Sequence, residues 1–147
     1  MFPIWFLFLF PITWLIIIPA NFLVDSLVLI FTLKYLQYAD IKSLWKTKIW
    51  PVWGFGFLAD MLGAGLVISI YLTLVELSPD LGASLIFFPG TCLVAIPGIL
   101  LAGILIYFLN KKITFKKADL TPQQLHKLCL SLAIITAPYT MLIPLYW

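Results

Sequence analysis

Arginine is absent from this chain, and charge of any kind is scarce. Only 10% of the 147 residues are charged, and the single histidine is His126. Soluble domains carry about 25% charged side chains, so this chain has too little polar surface to cover itself in water. Without guanidinium forks it has no means of bidentate phosphate or carboxylate capture. That absence, together with the lack of a soluble domain, speaks against nucleic acid as a partner.

Cysteine is equally sparse. Cys92 and Cys129 form no CxxC and no Cys/His spacing that suits zinc, and one histidine builds no metal site. Neither a metal nor a cofactor is expected. Serine, threonine and histidine are scattered, and no acid is placed to orient His126, so no triad and no catalytic residue can be named. The chain is therefore expected not to be an enzyme. The first 33 residues hold no Lys or Arg. A cleaved secretory signal needs a basic start and a small-residue cleavage site; residues 1–10 have neither, so this segment is expected to be retained.

Hydrophobic residues supply 63% of the chain and aromatic residues 16%. The apolar runs are continuous rather than alternating, which excludes a transmembrane β-barrel and indicates an integral membrane protein. The expected fold class is all-α, a polytopic four-transmembrane-helix bundle forming a single membrane domain over 1–147. As one helix the first apolar stretch, 2–33, would run about 48 Å, too long for a hydrocarbon core of about 30 Å. Pro3, Pro11 and Pro19 divide it. A span over 12–33, kinked at Pro19, is expected after an aromatic segment at the outer interface; a re-entrant hairpin across Pro19–Asn21 is the alternative.

Three more spans are expected, over 52–77, 84–109 and 126–147. Ser78 before Pro79 reads as a helix N-cap followed by a first-turn proline. Thr121, Pro122 and Gln124 read as a capping box that starts the last helix near Pro122. Pro138 and Pro144 interrupt that helix late. Trp45, Trp50 and Trp53 at one level, and Tyr139, Tyr146 and Trp147 at another, suit the headgroup layers.

All nine lysines fall in or beside two connections, 34–50 and 110–125. With four spans these connections lie on the same side, and the positive-inside rule makes that side cytoplasmic. Both termini are then expected on the outer side, in the cell membrane. The net charge of +3 thus reflects orientation rather than an acidic partner.

Two carboxylates lie inside the expected spans. Asp25 is nine residues before Lys34 and Asp60 ten after Trp50, so each lies roughly 14–15 Å from the lysine-bearing edge. An aspartate at that depth costs at least about 2.5–3.5 kcal/mol, and two of them need a partner, a proton or water. Asn21 and Thr32 share a helical face with Asp25. Gly56, Asp60 and Gly63 share a face of the second span, and the two glycines permit close helix packing there. Asn21, Asp25 and Asp60 are therefore candidate ligands for a cation or proton, since carboxylate and amide oxygens suit hard cations. The competing explanation is that the three hydrogen-bond between helices as assembly glue.

The remaining polar residues have simpler explanations. Glu76 is solvated at the outer end of its span, and His126 is interfacial. Cys92 and Cys129 differ in depth, so they are read as small apolar residues rather than a disulfide. Lys111, Lys112, Lys116 and Lys117 orient the chain and are candidate contacts for anionic lipid headgroups.

Two functions fit this pattern. The first is a transport or channel protein with the Asn/Asp site as its ion or proton site. Four short spans enclose little volume, so a pathway would run between subunits of a homo-oligomer. The second is a non-catalytic accessory or scaffold subunit of a larger membrane complex, consistent with short loops and no extramembrane domain. The orientation is testable with single cysteines at Lys42 and Lys116 in a cysteine-free background. A membrane-impermeant thiol reagent is expected to leave both unlabelled in intact cells and to label both after lysis; labelling of either in intact cells would reverse the topology.

Overall fold

The computed structural model describes residues 11–85 and 89–143. The expected aromatic segment at 1–10 and the end of the last span, with Pro144, Tyr146 and Trp147, lie outside the described residues. The described chain is helical: α1 (Pro11–Tyr35), α2 (Ile41–Leu77), a short α3 (Pro79–Leu85), α4 (Gly90–Leu109) and α5 (Pro122–Ile135). A π-helical turn, Asn110–Thr114, extends α4, and a 3-10 turn, Tyr139–Leu142, follows α5. Four helical segments are long and apolar enough to cross a membrane: Trp14–Tyr35, Ile41–Leu77, Gly90–Thr114 and Pro122–Leu142.

α1 runs unbroken through Pro19, so the hairpin alternative does not occur. It ends in a tight turn where Gln37 takes a left-handed φ of 52°. There Tyr38 N donates to the Leu33 carbonyl and Gln37 N to that of Lys34, which satisfies carbonyls that a helix end leaves open. Asp40 then caps α2 by accepting from Ser43 N at 3.2 Å.

Helix boundaries differ from the sequence expectation at three places. The first basic connection shrinks to residues 36–40, because α2 begins at Ile41 and carries Lys42, Lys46 and Lys48 on its first turns. Its 37 residues extend about 55 Å, well beyond a hydrocarbon core of about 30 Å. Aspartate capping and good helix formers favour helix there regardless of the membrane edge. The third span does not begin at Ser84. Ser84 and Leu85 finish α3, and α4 starts only at Gly90, after Pro89. A Cβ at Gly90 would sit 2.7 Å from the Leu85 Cα, so the turn needs a residue without a side chain. α3 itself begins at Pro79, as the Ser78–Pro79 signal implies, with Gly82 N donating to the Ser78 carbonyl.

The largest difference is in the last span, expected over 126–147 with late interruptions at Pro138 and Pro144. The capping box is present: Gln124 N donates to Thr121 Oγ1 and Thr121 N to Gln124 Oε1. But α5 holds 14 residues and stops at Ile135, about 21 Å of helix. Pro138 is the reason, since it has no N–H for the Ile134 carbonyl and disfavours helical geometry at Ala137. Gln124 also donates from Nε2 to the Leu36 carbonyl at 3.3 Å, tying the start of α5 to the end of α1.

The side chains pack in two apolar clusters. One, toward the lysine-bearing end, includes Leu29, Leu33, Ile49, Val52, Ile106, Phe115, Leu128 and Leu132. The other includes Ala64, Val67, Val94, Ala95, Ile99, Ala137 and Met141. α2 is central and makes its most extensive contact with α4. At their crossing Gly63 and Gly98 bring the two backbones together: a Cβ on Gly63 would lie 2.6 Å from the Gly98 carbonyl oxygen. Small residues at such crossings are how membrane helices gain packing energy. Gly63→Leu is therefore expected to cost roughly 1–3 kcal/mol and to lower the thermal midpoint of the purified protein in detergent. Gly65→Ala, with nothing within 4 Å of the added carbon, should leave it unchanged. Equal midpoints for both variants would mean that α2 and α4 do not cross at Gly63.

Candidate functional site

Along α2, Ala59 belongs to the first apolar cluster and Ala64 to the second. Asp60 falls between them. The same division occurs on α5 and its extension, where Ala133 and Ala137 belong to different clusters and Thr136 lies between. The boundary is a thin polar layer built from α1, α2 and the end of α5.

Asn21, Asp25 and Asp60 meet in this layer. Asn21 donates from Nδ2 to Asp60 Oδ2 at 3.1 Å. Asp25 and Asp60 are both buried, at 4% and 5% exposure. The Asp25 carboxyl rests on Gly56, where an added Cβ would be 3.1 Å from Oδ2. The two glycines singled out on α2 thus serve different neighbours: Gly56 admits the carboxyl of α1, and Gly63 admits the backbone of α4.

Thr136 joins the same layer. Its side chain lies beside the Asp25 carboxyl, and its hydroxyl donates to the Leu132 carbonyl at 2.7 Å. A hydroxyl has one proton to donate. The Leu132 carbonyl receives it, which leaves the hydroxyl oxygen able to accept. Residue pattern along the last span does not by itself bring Thr136 to the aspartates of α1 and α2. The available signal was Pro138, two residues on, which marks where helical carbonyls and a hydroxyl are freed at depth.

Asp60 Oδ1 is buried and has no hydrogen-bond partner among the described residues. An unpaired carboxylate oxygen in a low-dielectric layer is costly. No lysine lies in the layer to neutralise it. Ser26 Oγ, one residue from Asp25, is also buried without a partner. Thr32, on the same face of α1, is buried farther toward the lysine-bearing end.

Other sequence candidates lie elsewhere. His126 and Tyr107 pair at the lysine-bearing end, with Tyr107 Oη 2.8 Å from His126 Nδ1, and Lys111 donates to that Oη at 2.9 Å. Lys112 lies over the Phe108 ring, while Lys116 and Lys117 project from the following turn, exposed. Both cysteines are free, Cys129 buried in the first cluster and Cys92 reaching the Leu142 carbonyl at 3.5 Å. Trp50 and Trp53 pack with Phe22 and Phe57 between α1 and α2, and Trp53 Nε1 donates to the Ile18 carbonyl. Asn110 and Thr114, in the π-helical turn, are among the buried polar residues that residue pattern did not single out. Asn110 Nδ2 returns to the Ile106 carbonyl, while its Oδ1 and Thr114 Oγ1 lack partners.

No protein-family model, curated protein or solved structure matches the chain. The fold and the polar layer define an all-helical, multi-pass membrane protein with buried acids at the junction of three helical segments.

The Asn21–Asp60 bond has a measurable signature. Asn21→Ala strips Asp60 of its amide donor and is expected to destabilise the protein by roughly 1–3 kcal/mol. In an Asp60→Leu background the same change should cost less, with a coupling of about 0.6–1.7 kcal/mol. Thermal or denaturant unfolding in detergent reads both, and strictly additive effects would show that the pair does not interact.

Proposed function

We propose that this chain is a small membrane transport protein, of channel or carrier type, in which Asn21, Asp25 and Asp60 hold a proton or a monovalent cation. The observation that carries the proposal is the buried, unpartnered Asp60 Oδ1 beside a second buried carboxyl. Purely structural polar contacts between membrane helices pair their groups with one another. Here the protein supplies one amide and one hydroxyl for two carboxyls, and leaves an oxygen for something that arrives from outside.

The break in α5 supports the same reading. Where a helix stops at membrane depth, its last carbonyls turn free, and such half-helix ends supply oxygen ligands and negative dipole to cations. α5 ends at Ile135, beside Thr136 and hence beside Asp25. A proton suits the site equally, because the Thr136 hydroxyl oxygen, its own hydrogen committed to Leu132, can accept from a protonated carboxyl beside it. Either occupant removes the desolvation cost that ionised acids bear in hydrocarbon.

The lysine-bearing side is cytoplasmic in this proposal, with the chain in the cell membrane and both termini outside. Exposed apolar side chains on every span, such as Ile16, Leu23, Leu62, Leu100 and Ile134, leave room for partner subunits, and the pathway runs between copies in a homo-oligomer.

Flux into vesicles tests the assignment. Purified protein reconstituted in liposomes is expected to dissipate an imposed proton or alkali-cation gradient faster than empty liposomes. Asp25→Asn and Asp60→Asn, each shown to be folded, are expected to return the rate to that of empty vesicles. Wild-type vesicles indistinguishable from empty ones, or two folded variants with unchanged flux, would overturn it. In that case co-purification of a larger complex in mild detergent would favour the accessory-subunit role.

A further inference from the structure

α4 and α5 do not close against each other along their whole length. Between them lies an open groove of about 390 Å³, lined by residues that include Leu100, Gly103, Ile104, Leu130, Ile134 and Ala137. Its volume falls within the range of small-molecule sites, but its walls are almost wholly hydrocarbon. Gly103 contributes no side chain where α4 faces the Ala133 carbonyl, which keeps the groove open at its middle.

The two ends of the groove differ chemically. At one end the walls are Tyr107 and Phe108, and each ring carries an ammonium group. Lys111 Nζ is 5.2 Å from the Tyr107 centroid and Lys112 Nζ 5.8 Å from that of Phe108. Each lysine stands four residues after its ring, the spacing that makes side chains neighbours on a helix. His126 adds a ring nitrogen against Tyr107 Oη. No acidic residue lines the groove. At the other end the wall is Tyr139, beyond the break in α5. Along α4 the groove runs from Ile99 to Phe108, about 13 Å.

A hydrocarbon slot that begins at a pair of ammonium groups fits a molecule with an anionic head and an apolar tail. We infer that the α4–α5 groove is a binding site for one anionic phospholipid, its phosphate held by Lys111 and Lys112 and one acyl chain laid between Gly103 and Ile134. Charge complementarity selects the occupant. A neutral lipid or an apolar helix would fill the slot but leave both ammonium groups without a counter-charge. The four loop lysines thereby divide into two kinds. Lys111 and Lys112 belong to the site, whereas Lys116 and Lys117, on the turn beyond, contribute only to the general field that attracts anionic lipid.

Native mass spectrometry of the protein in mild detergent tests this, with phosphatidylglycerol and phosphatidylcholine of matched chains added in turn. One phosphatidylglycerol is expected to stay bound in preference to phosphatidylcholine. Lys111→Gln with Lys112→Gln should reduce that preference by roughly tenfold or more; Lys116→Gln with Lys117→Gln should largely preserve it. Ile134→Trp, which fills the slot from an exposed position, should weaken retention of the lipid with all four lysines intact. Equal retention of the two lipids by the wild type, or equal losses from the two lysine pairs, would overturn the site. So would retention by Ile134→Trp matching the wild type.

Discussion

Two buried carboxyls in a hydrocarbon environment govern the arrangement of this bundle. Ionised, each costs several kcal/mol unless something nearby compensates it. The protein answers with a layer one residue deep: an amide from α1, a hydroxyl from the end of α5, and a glycine on α2 that lets the Asp25 carboxyl lie against the backbone. Helices α1, α2 and α5 all supply a group to that layer, and the apolar clusters above and below exclude water from it. Compensation is incomplete at Asp60 Oδ1 among the described residues, and the proposed ion or proton site rests on that atom.

Backbone groups obey the same rule. A polypeptide in lipid must satisfy its N–H and C=O groups internally, and irregular backbone is tolerated only where protein or a cavity surrounds it. The two irregular stretches here each lie beside buried polar atoms. The end of α5 meets Thr136 and Asp25, and the π-helical turn after α4 encloses Asn110 and Thr114. The first creates the proposed ion or proton site. The second carries Lys111 and Lys112, which lie over Tyr107 and Phe108 and give the α4–α5 groove a charged mouth. Both proposed sites lie where helical regularity fails, and the regular stretches hold those places in register.

Much of this was legible from residue pattern. Four apolar segments, the clustering of lysines, the capping box at Thr121 and the similar depth of Asp25 and Asp60 all follow from short-range chemistry or from counting along a helix. Gly56 and Gly63 stood out because small residues on one face of a membrane helix permit close approach. Other features resisted the same reasoning. The basic segment 41–50 looked like a connection because it is charged. It is helix because charge sets where a segment sits relative to lipid, whereas capping and propensity set its backbone. In the last span Pro138 marked an interruption, but the span was expected to run on to 147 because its hydropathy is continuous, whereas α5 already stops at Ile135.

The amino-acid order alone determined that this chain crosses a membrane, roughly where it does so, and that two acids travel with it into the apolar region. Those properties depend on composition and on the fixed rise of a helix. Only the tertiary structure decided which neighbours the acids have: Asn21 for Asp60, Gly56 and Thr136 for Asp25, and Gly98 opposite Gly63. Helix depth can be counted from a charged edge, but rotation about the helix axis and the choice of packing partner are set by side chains meeting across elements far apart in the chain.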